Sequence, residues 1–266
     1  SNNARGDSTY NMLGDYTMRW LNRLGAEWKT QVQIGTHRML DTEFYQPVEH
    51  SRTYFVAPRV TFEQYNVKLY QGSDIVAEER LWKARGGADL GVQLENFGDL
   101  RLGYEGGKAR QSPYIGTVRP PQIEYDLGAL RGRALIDQVD NPNFPHTGYL
   151  GQIQYYDSMP GWGADFRYQK IDAEFLKAFT YQSYTVLASA RFGSYINSTI
   201  PFYDQFTLGG FLRLSGYQQD QLRGGQAALG RLIAYWRASQ TLLGSFYIGG
   251  SFEAGNVWQT GQSAAL

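Results

Sequence analysis

Along most of the chain, apolar and polar residues trade places at every step, the two-residue period of a β-strand with two unlike faces. Met12, Gly14, Tyr16, Met18 and Trp20 share a face, with Asp15, Thr17 and Arg19 between them. Trp28, Thr30, Val32 and Ile34 alternate with Lys29, Gln31 and Gln33. The cleanest run sets Ala84, Gly86, Ala88, Leu90, Val92 and Leu94 against Lys83, Arg85, Asp89, Gln93 and Glu95. Soluble strands usually stop after about 5–6 residues, so this one is long. The same reading down the chain predicts twelve strands, at 12–20, 28–36, 40–48, 54–71, 75–94, 100–108, 123–137, 148–157, 166–179, 184–195, 228–237 and 246–258. The alternation in 123–137 slips near Ala129, which predicts a β-bulge there.

The apolar faces choose between two architectures. A soluble sandwich needs large side chains on its inner faces, and here those faces hold many Gly and Ala. Small and aromatic residues toward lipid, with Arg, Asp, Glu, Gln and Lys toward a wet lumen, fit a transmembrane antiparallel β-barrel, whose strands need about 9–11 residues to cross. The connections agree. Those at 22–27, 49–53, 96–99, 138–147, 180–183 and 239–245 fall at one end, and those at 109–122, 158–165 and 196–227 at the other. Two more at this second end, 37–39 and 72–74, are tight, so their long flanking strands are expected to form a ribbon above the membrane.

Composition removes other classes. The 266 residues carry 25 basic and 25 acidic side chains, so no basic stripe for nucleic acid is implied. There is no cysteine, hence no disulfide framework or thiolate metal site. No run approaches the roughly 18 apolar residues of a membrane helix. Trp20, Trp82, Trp162, Trp236 and Trp258 are read as girdles at the membrane interfaces, or else as carbohydrate platforms of a soluble all-β domain. The chain is expected to be no enzyme by itself. It lacks the Gly-x-Ser-x-Gly turn that exposes a serine nucleophile, and His37, His50 and His146 all sit in or beside connections, without zinc spacing. No cofactor is implied.

Three segments carry a family resemblance. Phe206-Thr-Leu-Gly-Gly-Phe-Leu-Arg-Leu-Ser-Gly-Tyr217 resembles the loop-six signature of the BamA and surface-antigen superfamily of outer-membrane barrels. Phe252-Glu-Ala-Gly-Asn-Val-Trp258 resembles that family's next ascending strand, and Asp140-Asn-Pro-Asn-Phe-Pro-His-Thr-Gly148 its proline-containing turn. The Leu-Ser-Gly-Tyr form of the loop, with Phe44-Tyr-Gln-Pro47 and Tyr54-Phe-Val-Ala-Pro58, looks most like the barrels of PlpD-type patatin-like phospholipase autotransporters.

The resemblance implies a bacterial outer-membrane barrel of sixteen strands, about twelve of them in this chain, inserted by the barrel assembly machinery among phospholipid and lipopolysaccharide. It also implies a lipase passenger and a small periplasmic domain upstream. With Ser263, Ala264, Ala265 and Leu266 at its end, the chain reads as a barrel domain truncated at both ends. Assembly factor and passive channel of the same superfamily stand as alternatives. By resemblance the lumen motif is Gly209, Gly210, Arg213, Leu214, Ser215, Gly216 and Tyr217. The family's arginine is replaced by Ser215, which leaves the family acid, Glu253, to Arg213, Arg231 or Arg237, or makes it one polar lumen residue among many. The loop is expected to fold into the lumen and touch the wall near Arg231 and Glu253, with Gly216 permitting an unusual backbone and Tyr217 supplying contact area.

Overall fold

A computed structural model describes residues 10–116, 121–196, 200–241 and 244–259. The chain's end, 263–266, and parts of three expected connections, 117–120, 197–199 and 242–243, lie outside the described residues. The strands are β1 (Asn11–Met18), β2 (Glu27–Gly35), β3 (Arg38–Pro47), β4 (Tyr54–Gln71), β5 (Asp74–Leu94), β6 (Gly98–Gly116), β7 (Ile123–Asp137), β8 (Gly148–Ser158), β9 (Tyr168–Tyr181), β10 (Tyr184–Ile196), β11 (Phe206–Leu208), β12 (Leu222–Gly224), β13 (Gln226–Thr241) and β14 (Gly244–Trp258). Twelve of them form one antiparallel sheet in chain order, with β10 followed by β13, and β1 and β14 at its edges. Each matches one predicted strand. The segment between β10 and β13 adds the small β11–β12 pair, which alternation could not reveal in strands of three residues.

Alternation becomes two physical surfaces. On β5, Leu90 is 67% exposed on the outside while its neighbour Asp89 is 1% exposed on the inside. Leu102, Ile153, Phe175, Val186, Leu232, Ile248 and Phe252 are likewise exposed. An apolar outer belt over a polar interior is stable only with hydrocarbon outside.

The strands differ in reach. β4, β5 and β6 have 18, 21 and 19 residues, well beyond a bilayer crossing. They form the expected ribbon at the 72–74 turn, whereas β2 and β3, with 9 and 10 residues, form none at the 37–39 turn. Since β6 runs on to Gly116, most of the predicted 109–122 connection is strand. β9 begins at Tyr168, two residues after the predicted start, because the preceding segment makes a 3-10 turn at Pro160–Trp162 and returns across β7 through Asp165 and the Asp126 backbone.

No bulge exists at Ala129. β7 pairs with β6 and β8 in unbroken register, and the register shifts lie at Leu69/Tyr70, Glu78/Glu79 and Arg237/Ser239. What changes near Ala129 is the surroundings. Beyond it Glu124 and Asp126 face outward and pair with Arg110 (2.8 Å) and Lys108 (3.0 Å). Tyr125 and Leu127 turn inward, into a cluster with Val67, Leu81, Ala109 and Tyr203. Inside the bilayer the outer face must be apolar, and above it the outer face meets water. The polarity therefore changes phase while the backbone does not.

The outer face of β5 gives a direct test. Leu90→Arg places a charge in the lipid belt and should destabilise the folded barrel by about 2–4 kcal/mol, whereas Gln93→Arg on the lumen face should change little. Urea unfolding in lipid vesicles reads both, and equal losses would reverse the assignment of faces.

Candidate functional site

The lumen wall from β3 to β7 is one continuous ion-pair network. Arg85 joins Glu63 (2.7 Å) to Glu105 (3.3 Å), and Arg59 also reaches Glu105 (2.9 Å). Arg131 links Glu105 (3.6 Å) to Asp89 (2.5 Å). Arg101 lies 3.9 Å from Asp89 and binds Asp99 (3.1 Å) and Glu43 (2.7 Å), and Arg133 closes on Asp99 at 3.0 Å. Period two puts all of these on one face; Arg85 and Arg133 reach carboxylates on adjacent strands about 4.8 Å apart, whereas Arg59, Arg101 and Arg131 also reach past a neighbouring strand across the curled inner face. Five arginines face five carboxylates, so the wall neutralises itself.

Against this wall lies the 200–227 segment. Its base is held through Asp204, which takes both ends of a bond from Lys170 Nζ at 2.6 Å. Burial opposes ionisation of Asp204, but Lys170 and Lys83 beside it outweigh that and hold its carboxyl below the ordinary aspartate range. The Tyr195 hydroxyl donates to the Asp204 carbonyl, and Lys83 Nζ donates to the Tyr203 carbonyl at 3.4 Å. Phe206 lies over Gly193 of β10, where any Cβ would collide with its ring. A cavity of about 160 Å³ remains between this base and the wall, lined among others by Arg85, Arg131, Tyr156 and Lys170.

The tip is latched to β14. Glu253 accepts from the N–H groups of Leu214 (2.7 Å) and Ser215 (2.9 Å) and from the Ser215 hydroxyl (3.0 Å). Ser251 Oγ adds a further donor at 2.8 Å. None of the expected arginines pairs with it among the described residues. Arg231 sits opposite Glu253 in the β13–β14 register but donates to Leu212 O and Ser189 Oγ, both at 3.0 Å. Arg213 donates to Thr207 O at 2.7 Å and lies 3.7 Å from Asp220. Arg237 is six positions farther along β13, about 20 Å away at strand rise. A carboxylate needs donors rather than a particular residue type, and two backbone N–H groups with two hydroxyls supply them.

Two expectations about the tip are corrected. Gly216 lacks a left-handed backbone, and a Cβ there would meet open space. The left-handed residues are Leu212 (φ 59°) and Leu214 (φ 71°), together with Gly209 (φ 122°) and Gly210 (φ 102°). A leucine in that region costs about 1 kcal/mol or more, so the tip's hydrogen bonds have strain to offset. Tyr217 is 46% exposed; the buried contact is Leu214, packed with Tyr168, Tyr195, Phe206, Leu208 and Leu229. The far flank of the loop reaches the β4–β5 ribbon, where Gln218 and Gln221 donate to Ser73 O (3.1 Å) and Gly72 O (3.0 Å), and Tyr70 to Gln219 O (3.0 Å). The loop thus crosses the lumen from β14 to the β4–β5 hairpin. Asp204, Lys170 and Lys83 escaped the sequence reading as a group, because a loop carboxylate paired with a lysine of β9, beside a lysine of β5, leaves no local spacing.

Outer belt, charged lumen and inward loop together define a transmembrane β-barrel. The chain belongs to the Omp85 superfamily, whose domain matches residues 22–264. Among solved structures it is similar to BamA from Haemophilus ducreyi lacking POTRA domains 1-3, with a TM-score of 0.74 and 13% identity over 94% of this chain and 55% of that one. It is also similar to CdiB from Acinetobacter baumannii, with a TM-score of 0.58 and 11% identity over 96% of this chain and 48% of that one. The chain therefore spans about half the length of these structures. No curated protein matches it.

Two substitutions probe the site. Asp89→Asn removes the charge of the more tightly held of the two buried carboxylates of Arg131 and should cost about 3 kcal/mol, while Lys108→Ala at the exposed outer pair should leave the unfolding midpoint unchanged. Glu253→Gln should accelerate amide exchange at Leu214 and Ser215 roughly tenfold with little change at Leu208. Unchanged exchange at those two amides would mean that the carboxylate does not hold the tip.

Proposed function

We propose that this chain is the membrane anchor and translocation barrel for a linked patatin-like lipase domain that precedes it, with a small periplasmic domain between them. The observation that carries the reading is the mode of closure. The lumen is filled by a loop whose base is fixed by Asp204 and Lys170, while its tip and far flank are held by Leu214 in an aromatic cluster and by hydrogen bonds to one carboxylate on β14 and to the β4–β5 hairpin; those hydrogen bonds can exchange for water when a polypeptide needs the space. The wall's paired charges offer a passing chain few free ions to bind. The lipase is favoured by the resemblance of Leu214-Ser-Gly-Tyr217, Phe44-Tyr-Gln-Pro47 and Tyr54-Phe-Val-Ala-Pro58 to PlpD-type barrels. The barrel itself is given no catalytic role, since it has no nucleophile turn, and phospholipid, lipopolysaccharide and the barrel assembly machinery are its partners in the membrane.

The test is the native protein in its own membrane. Outer membranes holding the full-length protein should hydrolyse phospholipid, and the purified barrel should not. Activity should disappear when the serine of an upstream Gly-x-Ser-x-Gly turn is replaced. An upstream region of repeated periplasmic modules without hydrolase activity would replace this reading with an assembly factor, and steady ion conductance without either would replace it with a channel.

A further inference from the structure

Bacterial barrels keep their shorter turns on the periplasmic side, which makes the end holding 49–53, 96–99 and 180–183 the periplasmic one; there 138–147 is long and folds back into the lumen. Asp140 Oδ1 accepts from His146 N (2.8 Å) and Thr147 N (3.0 Å), and Asn141 Oδ1 accepts from Asn143 N (2.9 Å) and Phe144 N (3.1 Å). These Asx-type bonds make the turn a rigid unit. Its partners lie far along the wall. Phe144 stacks on Tyr247 of β14 at 4.4 Å and 14°, and meets the edge of Tyr235 of β13 at 5.9 Å. The Tyr235 hydroxyl donates to Pro145 O, and Thr180 Oγ1 of β9 donates to His146 O at 2.5 Å.

From β8 to β14 the turn passes β9, β10 and β13, which at about 4.8 Å per strand is roughly 19 Å of wall. Tyr235 and Tyr247 are lumen-facing positions in phase with Arg231 and Glu253. The turn therefore lies across the inside of the barrel's periplasmic end. Above it, Glu174, Arg191, Arg213 and Arg231 line a chamber of about 90 Å³ beneath the tip of the loop. At the junction with β8, Gly148 has φ 98°, a backbone freedom suited to a pivot.

We propose that the 138–147 turn is a cover over the periplasmic mouth of the lumen, docked through Phe144 and Pro145 on Tyr235 and Tyr247 and pivoting at Gly148 to admit a chain. The opening role rests on the translocation reading above; the docked cover does not. Loop and turn then close the lumen from opposite ends, with the arginine-lined chamber between them.

The absence of cysteine allows a clean test. Phe144→Cys with Tyr247→Cys should form a disulfide in the outer membrane under mild oxidation, as should the directly paired wall positions Ile233→Cys with Ser251→Cys. Separately, Glu174→Cys should react with a membrane-impermeant maleimide about tenfold faster when Phe144→Ala and Tyr235→Phe undock the turn, with folding checked by heat-modifiable migration. A wall disulfide without the turn disulfide would overturn the docking. Equal maleimide rates would overturn the cover, even with the disulfide formed. Neither measurement depends on a lipase or on transport, so failure of the functional reading would leave both outcomes readable.

Discussion

A backbone amide in hydrocarbon has no water to bond, and this requirement governs the rest of the structure. Every strand has to pair on both sides where neighbours exist, so the chain becomes a meander in which each strand hydrogen-bonds to the next. Once strands are forced side by side, their side chains have only two directions. One direction is lipid, and the charges have to take the other.

Sending the charges inward creates the second constraint. An unpaired ion in the lumen loses solvation, so Asp89, Glu105 and Asp99 sit where arginines of β7 can reach them. The wall becomes stiff and nearly neutral. A loop entering such a lumen finds few free charges and must be retained by selected contacts. Asp204 with Lys170 secures the base, Leu214 inserts into an aromatic cluster, and Glu253 collects the tip's N–H groups. An ion pair secures the base, and hydrogen bonds to a carboxylate secure the tip.

Omp85 membership and the likeness to BamA and CdiB barrels define the fold at identities of 13% and 11%. At that distance the likeness is one of backbone path alone. The tip carries Ser215, and its hydroxyl together with the backbone N–H groups of Leu214 and Ser215 supplies the donors for Glu253.

Strand identity, order and facing were legible in the chain because they depend on a two-residue period and on local turns, as the run from Lys83 to Glu95 shows. The inward loop was legible from the motif around Gly209 and Gly210. Tertiary structure alone decided three things. It showed that the slip near Ala129 marks the exit from the bilayer, because polarity along a strand records its surroundings as well as its geometry. It assigned the strained backbone to Leu212 and Leu214 and left Gly216 free, because strain follows from where the tip is tied down. And it gave Glu253 backbone N–H donors and Asp204 a lysine from β9, because pairing across the lumen depends on how the sheet curls, which no spacing within one strand encodes.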